Sequence, residues 1–191
     1  MTVKITGMVN PDTSGVRDRI LVSAKTEFAE HGLAAASVHR IAEGAGTTAA
    51  MINYYYGGKH ALYEKVIDEA QARQLAFLSA AVGGDPGEGL PARIAGSYFD
   101  FLAQERELQR ILLREVLDGH GGSEDHALRI VAPLRGLLDA HVRKRDQREA
   151  LQFAVTLFGA IAGYFLYERV VSAVLDDDAL GTKALASRRK H

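Results

Sequence analysis

Cysteine is absent from all 191 residues, which removes disulfides, thiol nucleophiles and cysteine metal sites at once. An excess of charge of either sign is missing too. Lys and Arg number 23 against 24 Asp and Glu, for a formal net charge of −1, so the chain is not coated in positive potential. The first fifteen residues lack the basic flank and apolar run of a signal peptide, which favours a cytoplasmic location. No Walker loop, His-Glu-x-x-His pair or nucleophile elbow occurs, so neither an enzyme nor a bound cofactor is expected. Gly44-x-Gly46 is only a two-glycine fragment. There is no convincing strand, internal repeat or low-complexity segment. What is present is an ordinary soluble composition, 47% hydrophobic and 25% charged, long enough for one or two domains with a sizeable core.

Residues 37–59 carry the densest functional signal. Ser37 is a natural N-cap for a short helix through Val38, Ile41, Ala42 and Ala45, an i, i+3, i+4, i+7 stripe that buries one side. Gly46 supplies a turn that needs positive φ, and Thr47 or Thr48 caps the next helix. On that helix Ile52 and Tyr56 share a buried side, which turns Thr48, Ala49, Ala50 and Asn53 outward. Two short helices around a glycine turn form a helix-turn-helix. The small polar outer face suits a recognition helix, because short side chains let the backbone approach base edges in the major groove. Asn53 can pair bidentately with adenine while Ala49 and Ala50 meet thymine methyls. Thr48, Tyr54, Tyr55 and Lys59 are candidate phosphate contacts, with Ser37, His39 and Arg40 approaching from the first helix of the motif. Residues 1–65 hold seven basic against six acidic side chains. The electrostatic part of DNA binding should therefore be modest, and strength should depend on dimerisation.

From about Arg17 to Tyr63 the chain resembles the DNA-binding domain of the tetracycline-repressor (TetR) regulators. The resemblance rests on Arg17-Asp18-Arg19-Ile20-Leu21, Phe28-Ala29-Glu30-His31-Gly32, Ile41-Ala42, Ala45-Gly46, Tyr54 to Tyr56, Gly58-Lys59 and Ala61-Leu62-Tyr63. It covers about a quarter of the chain. Asn53 stands where many members carry tyrosine, and Tyr56 where phenylalanine usually closes the helix. The resemblance implies an all-α homodimer that binds a near-palindromic operator in double-stranded DNA and releases it when a small-molecule effector enters the C-terminal domain.

The expected organisation is a disordered arm over residues 1–14, a three-helix DNA-binding domain over 15–62 and a helical ligand-binding and dimerisation domain over 63–191. Helix 1 should end at Gly32 after burying Ile20, Leu21, Ala24 and Phe28. A long fourth helix from Lys59 or His60 carries Leu62, Val66, Ile67, Leu75 and Leu78 and joins the domains, ending at a turn over 83–87. Further helices are predicted at 89–104, 106–118, 125–145, 148–176 and 178–187, with Pro133 interrupting the third of them. Arg188-Arg189-Lys190 reads as a solvated tail.

Between Glu149 and Glu168 no residue is charged. The run is at the short limit for a bilayer and is diluted by Gln152 and Thr156, so a buried helix is expected rather than a membrane span. Gly159 and Gly163 form a small-residue strip where two helices can approach closely, and with Tyr167 they are the candidate dimer interface. Tyr98, Phe101, Leu102, Phe158 and Tyr164 are candidate walls of an effector pocket. Glu115 lies on the apolar stripe Leu108, Ile111, Leu112, Val116, where it must pair with an arginine such as Arg93 or Arg114, or else line that pocket. His120, Glu124, Asp125 and His126 have metal-ligand chemistry, but without helical spacing they read as a solvated loop and no metal is expected. Two rival readings are a helical ligand-binding or enzymatic protein with a merely structural helix-turn-helix, and a membrane-associated adaptor using residues 150–167.

Overall fold

The computed structural model describes residues 11–83, 89–118, 135–136, 139–140 and 142–190, and among them there are helices and no strand. The chain divides into two compact units, residues 1–68 and 69–191.

In the first unit, helix α1 (Pro11–Ala35) buries Ile20, Ala24 and Phe28, with Leu21 half-buried. It begins inside the expected arm. Pro11 is its first residue, where the missing N–H costs nothing and the fixed φ favours helix, so residues 11–14 belong to α1. The rest of that arm lies outside the described residues. Regular helix stops at Gly32, whose φ of 68° and ψ of 174° only glycine takes readily. Helices α2 (Val38–Gly44) and α3 (Ala49–Tyr56) follow, then α4 (Lys59–Val82), whose first turns add Leu62, Tyr63, Val66 and Ile67 to the core. Phe28 meets Tyr63 edge-on at 5.0 Å. Apolar residues from all four helices thus close around the α1 stripe.

The second unit takes in the remainder of α4, where Leu78 and Ala81 are buried. Leu75, expected beside them, is instead 41% exposed. Helix α5 (Leu90–Gln104) starts with Pro91 in its first turn, and α6 (Arg106–Asp118) follows after a break at Glu105. Tyr98, Phe99, Phe101 and Leu102 of α5 are buried, as are Leu108, Ile111 and Leu112 of α6. A 3-10 turn (Lys144–Asp146) leads into α7 (Gln147–Leu166), then α8 (Glu168–Leu175) and α9 (Thr182–Arg188).

The single helix predicted at 148–176 is in fact two. At Tyr167 the backbone leaves helical geometry (φ −95°, ψ 24°), although Tyr167 N–H still donates to Gly163 O at 2.9 Å and Val171 N–H to Tyr167 O at 2.9 Å. The break is therefore a kink within a nearly continuous hydrogen-bond ladder. No proline or glycine stands at the break, and a Cβ on Gly163 would come within 4.0 Å of the Tyr167 ring. Helix α8 ends where Asp176 turns left-handed (φ 50°). The basic end is exposed, as expected of a solvated tail, but it is tethered: Arg189 forms a two-pronged pair with Asp100 at 2.9 and 3.2 Å, and the Arg188 guanidinium lies 5.5 Å over the Tyr164 ring. Pro133, most of the predicted 125–145 helix and the 84–87 part of the expected turn lie outside the described residues.

Candidate nucleic-acid interface

The helix-turn-helix is built by local rules. Ser37 is extended (φ −107°, ψ 121°), and its hydroxyl accepts the Arg40 N–H at 3.4 Å, which starts α2 by the expected capping device. Ile41, Ala42 and Ala45 are buried behind it. A Cβ on Gly44 would collide with the Ser23 side chain, so glycine lets α2 pack closely on α1. Gly46 then takes φ +61° in open space, and Arg19 Nε donates to Ala45 O at 3.0 Å, tying the turn to α1.

Thr48 occupies the N-cap of α3 in extended geometry, but its side chain makes no capping hydrogen bond. The expected hydroxyl cap is thus not formed; the first turn is closed instead by Met51 N–H donating to Thr48 O at 3.0 Å. Ile52 is completely buried. Tyr56 anchors the far end: its hydroxyl donates to Arg17 O at 2.8 Å while the Arg17 guanidinium sits 5.7 Å over its ring. Gly57 and Gly58, at φ +78° and +116°, turn the chain sharply into α4.

These anchors leave Thr48, Ala50, Asn53 and Tyr54 exposed, with Ala49 and Tyr55 half-buried beside them. Tyr54 is 77% exposed and meets Tyr55 edge-on at 5.0 Å. Gly58 leaves room next to the Asn53 amide, since a Cβ there would stand 3.4 Å from Asn53 Oδ1. His39 is exposed on α2 and Ser37 is half-buried.

The two flanking cations are less available than their sequence positions imply. Arg40, its side chain 51% exposed, is engaged on Glu27, with Nη2 to Oε1 at 2.6 Å and Nε to both carboxylate oxygens at 3.0 Å. Lys59 Nζ donates to Ala34 O at 3.2 Å and Ala36 O at 3.1 Å, holding the α1–α2 connection. Glu27 was missed as a member of this site. It stands seven residues after Ile20, so a carboxylate on the buried stripe of α1 was the signal that could have found it. Arg40 beside it, with Ser37 N–H, holds its carboxyl below the usual range despite burial.

In the second unit, Tyr98 packs on Phe158 at 4.5 Å and its hydroxyl is pushed up to about 12 by burial. Phe101 and Leu102 are almost fully enclosed. Tyr164 donates to Ala179 O at 2.7 Å, and its ring meets Phe165 at 5.7 Å. Glu115 is buried and has a bonding partner. Of the expected pocket residues, Tyr98 and Phe158 are in ring contact, while Phe101 meets Phe77 and Tyr164 meets Phe165. Gly159 and Tyr167 are exposed and Gly163 half-exposed, with open space above Gly159. Residues Lys144–Leu166 are long and apolar enough to cross a membrane by length and composition, with only 11% of that window buried, so the burial expected of this helix is not met within one chain. No cluster of metal-binding side chains occurs among the described residues; His120, Glu124, Asp125 and His126 lie outside them.

Comparison with known proteins bears directly on the motif. Residues 20–66 match the model for bacterial regulatory proteins, tetR family. The HTH-type transcriptional repressor SCO4008 of Streptomyces coelicolor is 34% identical over 136 residues, 67% of each chain. The HTH-type regulator YttP of Bacillus subtilis is 30% identical over 103 residues, 52% of this chain and 50% of its own. Among solved structures, the S. coelicolor regulator SCO4942 superposes with a TM-score of 0.60 at 28% identity, covering 91% of this chain and 93% of that one.

Proposed function

This chain belongs to the tetR family of bacterial transcriptional regulators, and from that premise we propose that it is a cytoplasmic repressor that binds a near-palindromic operator as a homodimer and leaves it when a small molecule occupies the C-terminal unit. The observation that carries the DNA reading is the outward face of α3. Thr48, Ala50 and Asn53 are exposed there, while Ile52 and Tyr56 fasten the opposite side. Such a face approaches base edges without steric hindrance, and Asn53 supplies a donor and an acceptor for adenine. Tyr54, Tyr55, His39 and Thr48 are suited to backbone contacts around it, with Ser37 fixing the start of α2. Regulation rather than catalysis is the role of this family, and no enzymatic role is assigned to the chain.

The homodimer reading is supported by α7 and α8. Val155, Gly159, Tyr167, Val170 and Val174 repeat at helical spacing, and all are exposed in the single chain, a pattern that marks an interaction surface. A second copy covers it and sets two reading helices roughly 34–36 Å apart, one turn of DNA. The effector reading is supported by the apolar and aromatic side chains of Tyr98, Phe101, Leu102, Phe158 and Tyr164 in this unit, with Glu115 as a candidate partner for a cationic or hydrogen-bond-donating ligand. Repression is supported by the named role of SCO4008.

The test is a duplex selected by the protein from a random-sequence pool. Binding should follow dimer stoichiometry, and the selected site should be near-palindromic. Asn53→Ala should lose about 1–3 kcal/mol on that site and relax preference at one base pair per half-site. Equal weakening on every sequence would make Asn53 a backbone contact. An effector that weakens operator binding tenfold must bind the DNA complex tenfold more weakly, about 1.4 kcal/mol either way.

A further inference from the structure

Glu27 is a carboxylate only 6% exposed, on a stripe of α1 that otherwise carries Ile20, Ala24 and Phe28. A charge in such a position is costly unless bonded on several sides. It is bonded on three. Ser37 N–H donates to Oε1 at 2.7 Å, the Arg40 guanidinium forks across both oxygens, and His31 Nδ1 lies 3.4 Å from Oε2. Arg40 Nη2 also donates to Ala35 O at 3.3 Å. One buried side chain therefore holds both the N-cap residue of α2 and the only cation on that helix.

We propose that Glu27 is a positioning residue for operator recognition: it fixes the start of α2 against α1 and withholds Arg40 from the DNA backbone, so that discrimination rests on the neutral face of α3. The proposal depends on the DNA-binding reading above. Its physical logic is that phosphate contacts add affinity to every sequence alike and make it salt-dependent, whereas base contacts separate one sequence from another. Pairing the Arg40 charge with Glu27 lowers the first contribution without touching the second. With Lys59 engaged on Ala34 and Ala36 carbonyls, the cations flanking the reading helix serve mainly to hold the motif in shape.

The experiment measures affinity against salt concentration for the full chain, using the duplex selected by the wild-type protein and a mixed-sequence duplex of equal length. Glu27→Gln keeps the shape and an acceptor for Ser37 but loses the charge that retains Arg40. It should steepen the salt dependence by about one unit in log K against log salt for each subunit and lower the selected-to-mixed affinity ratio several-fold. A purely structural role would lower affinity without steepening that slope. Adding Arg40→Gln to Glu27→Gln should return the slope to the wild-type value. Arg40→Gln alone should weaken binding and leave the slope unchanged; a slope reduced by about one per subunit would show Arg40 already on a phosphate and overturn the proposal. So would a folded Glu27→Gln protein, verified by circular dichroism, with an unaltered slope. If Glu27→Gln does not fold, the slope of Arg40→Gln decides. Wild-type protein that binds neither duplex would overturn the DNA reading itself, and the clamp with it.

Discussion

In the N-terminal unit Ile20, Phe28, Ile41, Ile52, Leu62, Val66 and Ile67 are wholly shielded by their own chain, while in the C-terminal unit Phe153, Val155, Tyr167, Val170 and Val174 stand 55% to 78% exposed. The first unit completes its core with four helices and turns a polar face outward. The second buries one side of α7 against α5, through the Tyr98–Phe158 and Phe99–Phe165 contacts, and leaves the other side bare. A recognition surface for DNA must be polar and accessible, so it needs a scaffold that is finished without help. An assembly surface must be apolar and uncovered until its partner arrives. On the proposed function, the contrast in side-chain exposure corresponds to a division of labour.

The largest effect that would sharpen this comparison is Phe28→Ala. Removing a fully enclosed ring should cost about 3–5 kcal/mol and abolish duplex binding, while self-association, followed by sedimentation, persists through the C-terminal unit. Loss of both together would break the picture of two units that hold their structure independently. Next in size is the pair Val155→Glu and Val170→Glu. Two carboxylates on the bare stripe should weaken association about 100-fold, or roughly 2.7 kcal/mol, with no change in the melting of the N-terminal unit. Unaltered sedimentation would remove this stripe from the interface.

The smallest effect is on pH dependence, and the two units should differ in its direction. Glu27 has its carboxyl lowered from an ordinary value of 4.5, so its stabilising contribution is present above that value and is lost as pH falls through the lowered one. Tyr98 is raised from 10.0 to about 12, so its contribution is present below pH 10 and is lost as pH rises towards 12. Hydrogen exchange resolved by segment should therefore find acid loosening α1 and α2 first, and alkali loosening α5 and α7 first. The opposite order would contradict the assignment of these groups to the two cores.

How much of this was legible in the sequence depended on the range of the interaction. The cap at Ser37, the positive φ at Gly46 and the buried stripe of α2 are properties of neighbouring residues, and each was readable. The extents of α5 and α6 were readable for the same reason. The Glu27–Arg40 pair spans 13 residues and two helices, and nothing local in Arg40 announces that it reaches back to α1. The kink at Tyr167 lacks proline or glycine at the break, so an unbroken apolar run looked like one helix. Arg189 was read as solvent-facing because its partner, Asp100, is 89 residues away.

That last contact bears on the order in which the chain acquires its structure. A Cβ on Gly96 would collide with the Arg189 guanidinium, so the bare backbone of α5 is the seat into which α9 closes. Arg106 meanwhile donates to Leu180 O across 74 residues at 2.8 Å. Contacts of such separation must pay for closing a long loop before they return any stability. The ties that shape the reading head span far less chain: 13 residues for Glu27 to Arg40, 26 for Arg19 to Ala45 and 39 for Tyr56 to Arg17. During synthesis the head can therefore take its form while α9 is still unmade.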